Sequence, residues 1–209
     1  MIRNIIFDMG QVLIRWEPRA LLARFDLSEA DTQLILTELF STVEWVQLDH
    51  GTVSGEQAVR QVCGRLPERL HGVVEEMVLR WWERPLTPIP GMAELVRELK
   101  SMGYGIYLLS NASVDLRRYF HRIPGSECFD GLVVSAEERM IKPQHEIYRT
   151  VLNRFQLKAE ECFFVDDSPL NVEGALCVGI SGTIFRGDVT RLRSELRAAE
   201  IPVSEGEKR

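Results

Sequence analysis

The chain predicts an α/β fold: a doubly wound parallel sheet with a small all-helical segment inserted after its first strand. Three observations carry this prediction. Short unbroken apolar runs alternate with amphipathic helical stretches along most of the 209 residues, the pattern of a parallel sheet covered on both faces. Residues 18–82 break the alternation and show helical periodicity alone. Polar residues of catalytic type follow several of the apolar runs directly, at the sheet edge where open α/β folds bind ligands.

Ile2-Arg3-Asn4-Ile5-Ile6-Phe7 stops at Asp8 and Gly10, which fits a buried strand running into a tight loop. Further strand runs are Gly105-Ile106-Tyr107-Leu108-Leu109, Gly131-Leu132-Val133-Val134, Cys162-Phe163-Phe164-Val165 and Thr183-Ile184-Phe185. Helices are expected over residues 90–102, with Gly103 as the stop, and over 145–155, 170–178 and 189–199.

In the interrupting segment, Leu21, Leu22 and Phe25 share a helical face, as do Leu34, Ile35, Leu39 and Phe40. Ser54 and Gln57 form a capping-box pattern ahead of Val59, Val62 and Leu66. Residues 75–82 continue the helical pattern, and Pro85, Pro88 and Pro90 mark a return to the core. The expected organisation is a core of residues 1–15 and 86–203, a helical cap of residues 16–85 and a frayed polar tail of residues 204–209.

With 27% charged residues and a formal net charge of −6, nucleic acid and anionic membrane are poor partners, since both call for a basic face. No apolar run nears the ~20 residues of a membrane span, and the chain enters its first strand without a leader-like segment. The four cysteines, Cys63, Cys128, Cys162 and Cys177, contain no Cys-x-x-Cys pair. They read as buried apolar residues in a reducing cytoplasm.

The strand ends bring together Asp8, Ser110, Asn111, Lys142, Asp166 and Asp167. Three carboxylates in one cleft repel unless a cation joins them, and hard oxygen ligands without a His or Cys cluster favour Mg²⁺. Such a site suits a small phosphorylated metabolite: Ser110 donates to a phosphoryl oxygen, Lys142 supplies charge, and Asp8 attacks phosphorus to form an aspartyl-phosphate that water hydrolyses. Taken singly, Asp8 and Asp166-Asp167 also suit helix caps and Ser110-Asn111 an ordinary loop; their joint order at strand ends favours chemistry. Arg15 and Arg19 read as a solvated face, the four histidines as surface or satisfied residues, and Trp81-Trp82 as cap packing with one ring able to face the cleft.

Ile5-Ile6-Phe7-Asp8, Leu108-Leu109-Ser110-Asn111, Lys142-Pro143 and Phe164-Val165-Asp166-Asp167 resemble, in order, the four motifs of the haloacid dehalogenase superfamily. The resemblance runs from Ile2 to about Arg186, and the helical insertion matches that family's cap. It implies that Asp8 is nucleophile and metal ligand, Ser110 contacts the phosphoryl group, and Lys142 bridges that group and Asp8. It also implies that Asp167 binds Mg²⁺ directly, Asp166 directly or through water, and that Asn111 orients loop or substrate.

Most phosphatases of the superfamily carry an acid–base aspartate two residues after the nucleophile, where this chain has Gly10. The Gly10 carbonyl can still ligate Mg²⁺, but a proton donor worth ~10²–10⁴-fold is missing. A good leaving group suffers less from the loss, and the segment is similar to a subgroup that includes α-D-glucose 1-phosphate phosphatases, so a sugar 1-phosphate is the expected substrate. Glu17, at the core-to-cap junction, is the candidate replacement acid. Two other functions fit the residues: a 2-haloacid dehalogenase, which needs no metal, and a weak phospho-ligand sensor. Monomer and homodimer are equally compatible with the sequence.

Overall fold

The computed structural model describes residues 1–206. Its strands are β1 (Asn4–Phe7), β2 (Gly105–Ser110), β3 (Gly131–Val134), β4 (Cys162–Asp166) and β5 (Ser181–Ile184). Among the described residues they form one sheet in the order β3-β2-β1-β4-β5, with every pairing parallel. Helices α1 (Pro18–Leu22), α2 (Glu29–Ile35), α3 (Val43–His50), α4 (Gly55–Cys63) and α5 (His71–Leu79) fall between β1 and β2, followed by α6 (Met92–Ser101). Helices α7 (Leu116–Tyr119), α8 (Ser135–Glu138), α9 (His145–Phe155), α10 (Pro169–Leu176) and α11 (Val189–Ala198) complete the chain.

The pleat of β1 explains the two layers. Successive side chains of a strand point to opposite faces. Ile5 and Phe7 pack with Leu95 and Leu99 of α6 and Leu192 and Leu196 of α11. Ile6 packs on the other face with Ile147 and Val151 of α9 and Val172 and Ala175 of α10. Both faces are dry, so the strands show no alternation in sequence.

The helical insertion has its own core, built from Leu22, Ile35, Leu39, Leu48, Val62, Leu70, Val74 and Met77. The Ser54–Gln57 capping box opens α4 as predicted, each side chain accepting from the other's backbone N–H. The two connections to the sheet run side by side, with Arg15 N–H donating to the Thr87 carbonyl at 2.8 Å and Ile89 N–H to the Leu13 carbonyl at 2.9 Å.

Several expectations are corrected. The last strand begins two residues early, at Ser181, and Phe185 lies beyond it in the core. Gly182 is needed there: a Cβ at this position would stand 2.7 Å from the Phe164 carbonyl oxygen. Helix α3 has no counterpart among the predicted elements, and the helix expected over residues 75–82 starts at His71 and ends at Leu79. Cys162 is buried, but Cys63 and Cys128 are half-buried and Cys177 is exposed. Ser204, expected in the frayed tail, is tied to the core: its N–H donates to Glu98 Oε1 at 2.6 Å, and Arg193 donates to its hydroxyl at 3.0 Å. Residues 207–209 of that tail lie outside the described residues.

The insertion docks on the sheet edge through the end of α3. Gly51 closes the helix at φ 72°, and a Cβ there would lie 2.0 Å from the Ala136 carbonyl oxygen of α8. Gly51→Ala combines left-handed strain with a backbone clash, each of order 1–3 kcal/mol. Chemical denaturation should show a lower midpoint for this variant than for Gly103→Ala, where φ is also positive but the space is open. Equal midpoints would remove the docking role of Gly51.

Candidate active site

In the order β3-β2-β1-β4-β5 the chain reverses direction of growth between β1 and β4, and the carboxyl ends of those strands form the crevice where such sheets bind ligands. The register aligns Phe7 with Val165, and Asp8 N–H donates to the Val165 carbonyl at 2.9 Å. Asp8 and Asp166 therefore leave neighbouring strands at the same level. One carboxylate oxygen from each of Asp8, Asp166 and Asp167 can be chosen so that all three lie within 4.8 Å of one another.

Lys142 joins this group from below. Its Nζ lies 2.8 Å from Asp8 Oδ1 and 2.7 Å from Asp166 Oδ2, and it donates to the Leu109 carbonyl at 2.9 Å. The contacts to Asp166 and to the Leu109 carbonyl are hydrogen bonds, and the contact to Asp8 is an ion pair. Asn111 holds the lysine backbone at both polar atoms, accepting from Lys142 N–H at 2.8 Å and donating to its carbonyl at 3.1 Å. Asp166 also accepts from Ser168 N–H and from the Asn171 amide.

Above this floor opens a cavity of about 210 Å³. Asp8, Gly10, Asn111 and Asp167 line it. Ser110, Lys142 and Asp166 do not: they are 1%, 3% and 0% exposed and sit beneath the floor. Ser110 is the last residue of β2, and Lys142 contacts both the Asp8 and Asp166 carboxylates and the Leu109 carbonyl. Glu17 is outside the cavity lining, half exposed and 3.7 Å from Arg15. Arg15 and Arg19 belong to the solvated face, as expected, with Arg19 donating to Glu29 and Gln33.

Aromatic residues complete the walls; Trp81 is one that the sequence allows to face the cleft, whereas Trp16, Trp45 and Tyr119 are not anticipated there. Trp16, Trp45, Trp81 and Tyr119 are lining residues, with Met9, Leu48 and Val78 between them. Trp16 stacks near Trp45 at 5.7 Å and meets Trp81 edge-on at 4.4 Å, and Trp81 meets Tyr119 at 5.2 Å. Asp49, near the end of α3, adds a third carboxyl group to the lining, with Asp8 and Asp167. The sequence signal was its place two residues before Gly51, a helix-closing glycine.

Electrostatics follow from burial and crowding. Burial pushes the Asp8 carboxyl up to about 6, with Asp166 adding to the shift and Lys142 opposing it. Burial also works against the Lys142 ammonium, yet Asp8 and Asp166 outweigh it and hold the lysine above its ordinary value. Asp167 is raised by burial and then by the charge of Asp166. Burial, with a smaller contribution from Asp8, pushes Asp49 up to about 7. One ammonium leaves this carboxylate group undercompensated, so the donor set and its charge both fit a hard divalent cation.

The sequence matches the haloacid dehalogenase-like hydrolase family over residues 2–179. This chain is a haloacid dehalogenase-like hydrolase. The hydrolase is 32% identical to a sesquiterpene phosphatase of Aspergillus oryzae over 85% of this chain and 86% of that protein. It is 26% identical to a D-ribitol-5-phosphate phosphatase of Bacteroides thetaiotaomicron over 82% of this chain and 86% of that protein. In fold the hydrolase is similar to a family enzyme of Bacteroides thetaiotaomicron solved with magnesium and inorganic phosphate. That match has a TM-score of 0.69 and 20% identity and covers 92% of this chain and 99% of the other. No helix among the described residues is long and apolar enough to cross a membrane.

The raised carboxyls set a pH dependence. Asp8 and Asp49 bind a proton more tightly folded than unfolded, so they favour the fold while protonated, and that contribution is lost as pH rises from about 4 through 6 to 7. Glu44 works oppositely: its Arg65 hydrogen bond lowers it to about 2, and its contribution is lost only in acid. In metal-free buffer, thermal stability should peak near pH 5 and fall toward pH 7.5. Mg²⁺ should raise the melting temperature more at pH 7.5 than at pH 5, with Asp167→Asn reducing the shift. A Mg²⁺ shift unchanged in that variant would exclude Asp167 as a ligand.

Proposed function

We propose that this hydrolase is a Mg²⁺-dependent phosphatase acting on a small phosphorylated substrate through an aspartyl-phosphate on Asp8. The observation that carries this reading is the Asp8 carboxylate at the cavity floor, beside acidic residues that a divalent cation would join and backed by a buried ammonium. Asp8, Asp167 and the Gly10 carbonyl would hold the ion, with Asp166 behind them. Bound Mg²⁺ would neutralise charge on the phosphoryl oxygens. Lys142 stabilises the ionised form of Asp8, the form that attacks phosphorus. Asn111 keeps the lysine in place, and the insertion acts as a cap that excludes bulk water.

The cluster of metal-compatible carboxylates favours phosphoryl transfer over metal-free dehalogenation. The relatives named as phosphatases support the same choice. For the leaving group, four aromatic rings favour an apolar alkyl or prenyl phosphate. This departs from the sugar 1-phosphate expectation, since Gln11, Asp49, Asn111 and Ser113 are few polar partners for a ring of hydroxyls. The sesquiterpene phosphatase at 32% identity points the same way.

Phosphate release should be measured over prenyl monophosphates, glucose 1-phosphate and p-nitrophenyl phosphate, with Mg²⁺ and with EDTA. Turnover should need Mg²⁺, and Asp8→Asn should lower it by roughly 10⁴-fold or more. Prenyl phosphates should show the higher kcat/KM, and Trp45→Ala should raise their KM about tenfold, the worth of one lost apolar contact surface. Binding of these phosphates without turnover would replace the phosphatase by a sensor; a preference for glucose 1-phosphate would remove the apolar assignment.

A further inference from the structure

We propose that Asp49, delivered by α3 of the inserted helices, is the proton donor and acceptor that position 10 lacks. The proposal rests on the phosphatase reading above. Asp49 lines the cavity together with Asp8 and Gly10. Among the described residues, its carboxyl group has no hydrogen-bond or ion-pair partner. Other acids of the insertion do have partners: Glu44 pairs with Arg65 at 2.8 Å, and Asp31 with Arg69 at 2.6 Å. A half-buried carboxyl group without a protein partner, aimed into a cavity with a nucleophile at its floor, is free to meet a ligand.

Its backbone, by contrast, is fixed. Ser135 Oγ donates to the Asp49 carbonyl at 2.5 Å and accepts from Ala112 N–H at 2.9 Å. That hydroxyl therefore joins α3 to the loop after β2 and to the end of β3. Gly51 adds its close approach to Ala136 from the same turn. The insertion is thus seated with Asp49 at the mouth of the core site.

The other titratable lining groups are poorer donors. Asp8 is the nucleophile, and Asp167 belongs to the acidic group beside it. Tyr119 directs its hydroxyl to Met9 Sδ at 3.6 Å, and burial holds its phenol far above the range in which it would give up a proton. Glu17 is not among the lining residues and lies half exposed beside Arg15. Of the charged groups that act on Asp49, Asp8 strengthens its hold on a proton and Lys142 weakens it, and burial dominates both. A carboxyl raised to about 7 is matched to proton transfer near neutral pH.

In the first step the Asp8 oxygen–phosphorus bond forms and the phosphorus–oxygen bond to the leaving group breaks. The Asp49 proton moves to the departing oxygen, which leaves as an alcohol. In the second step the Asp49 carboxylate takes a proton from water as that water's oxygen attacks phosphorus. The phosphorus–Asp8 bond breaks, inorganic phosphate leaves, and both aspartates return to their starting forms. Because Asp8 belongs to the sheet and Asp49 to the insertion, the donor is present only when the insertion is seated.

The test is the leaving-group dependence of kcat/KM with Mg²⁺ for wild type and Asp49→Asn, over p-nitrophenyl phosphate and alkyl phosphates. Wild type should depend weakly on leaving-group basicity. Asp49→Asn should lose ~10²–10⁴-fold on alkyl phosphates and less than about tenfold on p-nitrophenyl phosphate, whose leaving group needs no proton. With p-nitrophenyl phosphate the variant should also accumulate phosphorylated Asp8, seen as a burst and by mass spectrometry of quenched enzyme.

Position 10 has room for a side chain, since a Cβ there meets nothing closer than Trp16 Cβ at 3.7 Å. Gly10→Asp in the Asp49→Asn background should therefore recover alkyl phosphate turnover. An equal loss on both substrate types, or a wild type as steep in leaving-group dependence as Asp49→Asn, would overturn the assignment while leaving the phosphatase reading intact. Wild type inactive on every phosphate would overturn both. Should Asp49→Asn fail to fold, the wild-type dependence alone decides.

Discussion

The buried ammonium of Lys142 between Asp8 and Asp166 is the interaction on which the rest of the site depends. Its contacts tie the ends of β1, β2 and β4 to the loop between α8 and α9. Removing one member of such a buried cluster typically costs about 3–5 kcal/mol, because a charge is left without a counter-charge or water. Asn111 clamps the lysine backbone and Asn171 the Asp166 carboxylate, so the cluster cannot relax by drifting. One positive charge still fails to balance the carboxylates around it. The fold keeps that imbalance at the cavity floor, where it prepares the site for a divalent cation, while burial raises Asp8.

The second constraint is the seam between sheet and insertion. The floor comes from the strand ends, whereas Trp45, Leu48, Asp49 and Val78 come from the inserted helices and Trp16 and Trp81 from segments flanking them. Ser135 and Gly51 hold the seam at one backbone carbonyl and one close contact. The charged floor and the aromatic wall are thereby built by different parts of the chain. A change in the aromatic wall can alter the leaving group accepted without disturbing the charged floor.

Most of the sheet was legible because buried parallel strands need continuous apolar runs, and each run here ends at a polar residue. The departures have local causes. β5 lies at the sheet edge and opens with an exposed Ser181 and a Gly182 packed closely on Phe164, so the apolar signal falls on Thr183-Ile184-Phe185 instead. Helix α3 escaped because it buries only Glu44 and Leu48 while exposing Val43 and Val46, the reverse of an amphipathic pattern. Without α3 the sequence does not bring Asp49 or Trp45 to the cavity, whereas Glu17, at the junction, lies half exposed beside Arg15.

The sequence by itself determined the family, the alternation of strand and helix, and the order of Asp8, Ser110, Lys142 and Asp166-Asp167 along the strand ends. These are local matters: periodicity and motif order depend on near neighbours in the chain. Only the tertiary structure decided that Lys142, Asp166 and Ser110 lie beneath the cavity rather than in it, and that an aspartate 41 positions after Asp8 shares its cavity. Depth and facing arise from how the layers pack, and packing joins residues whose separation along the chain carries no signal of their meeting.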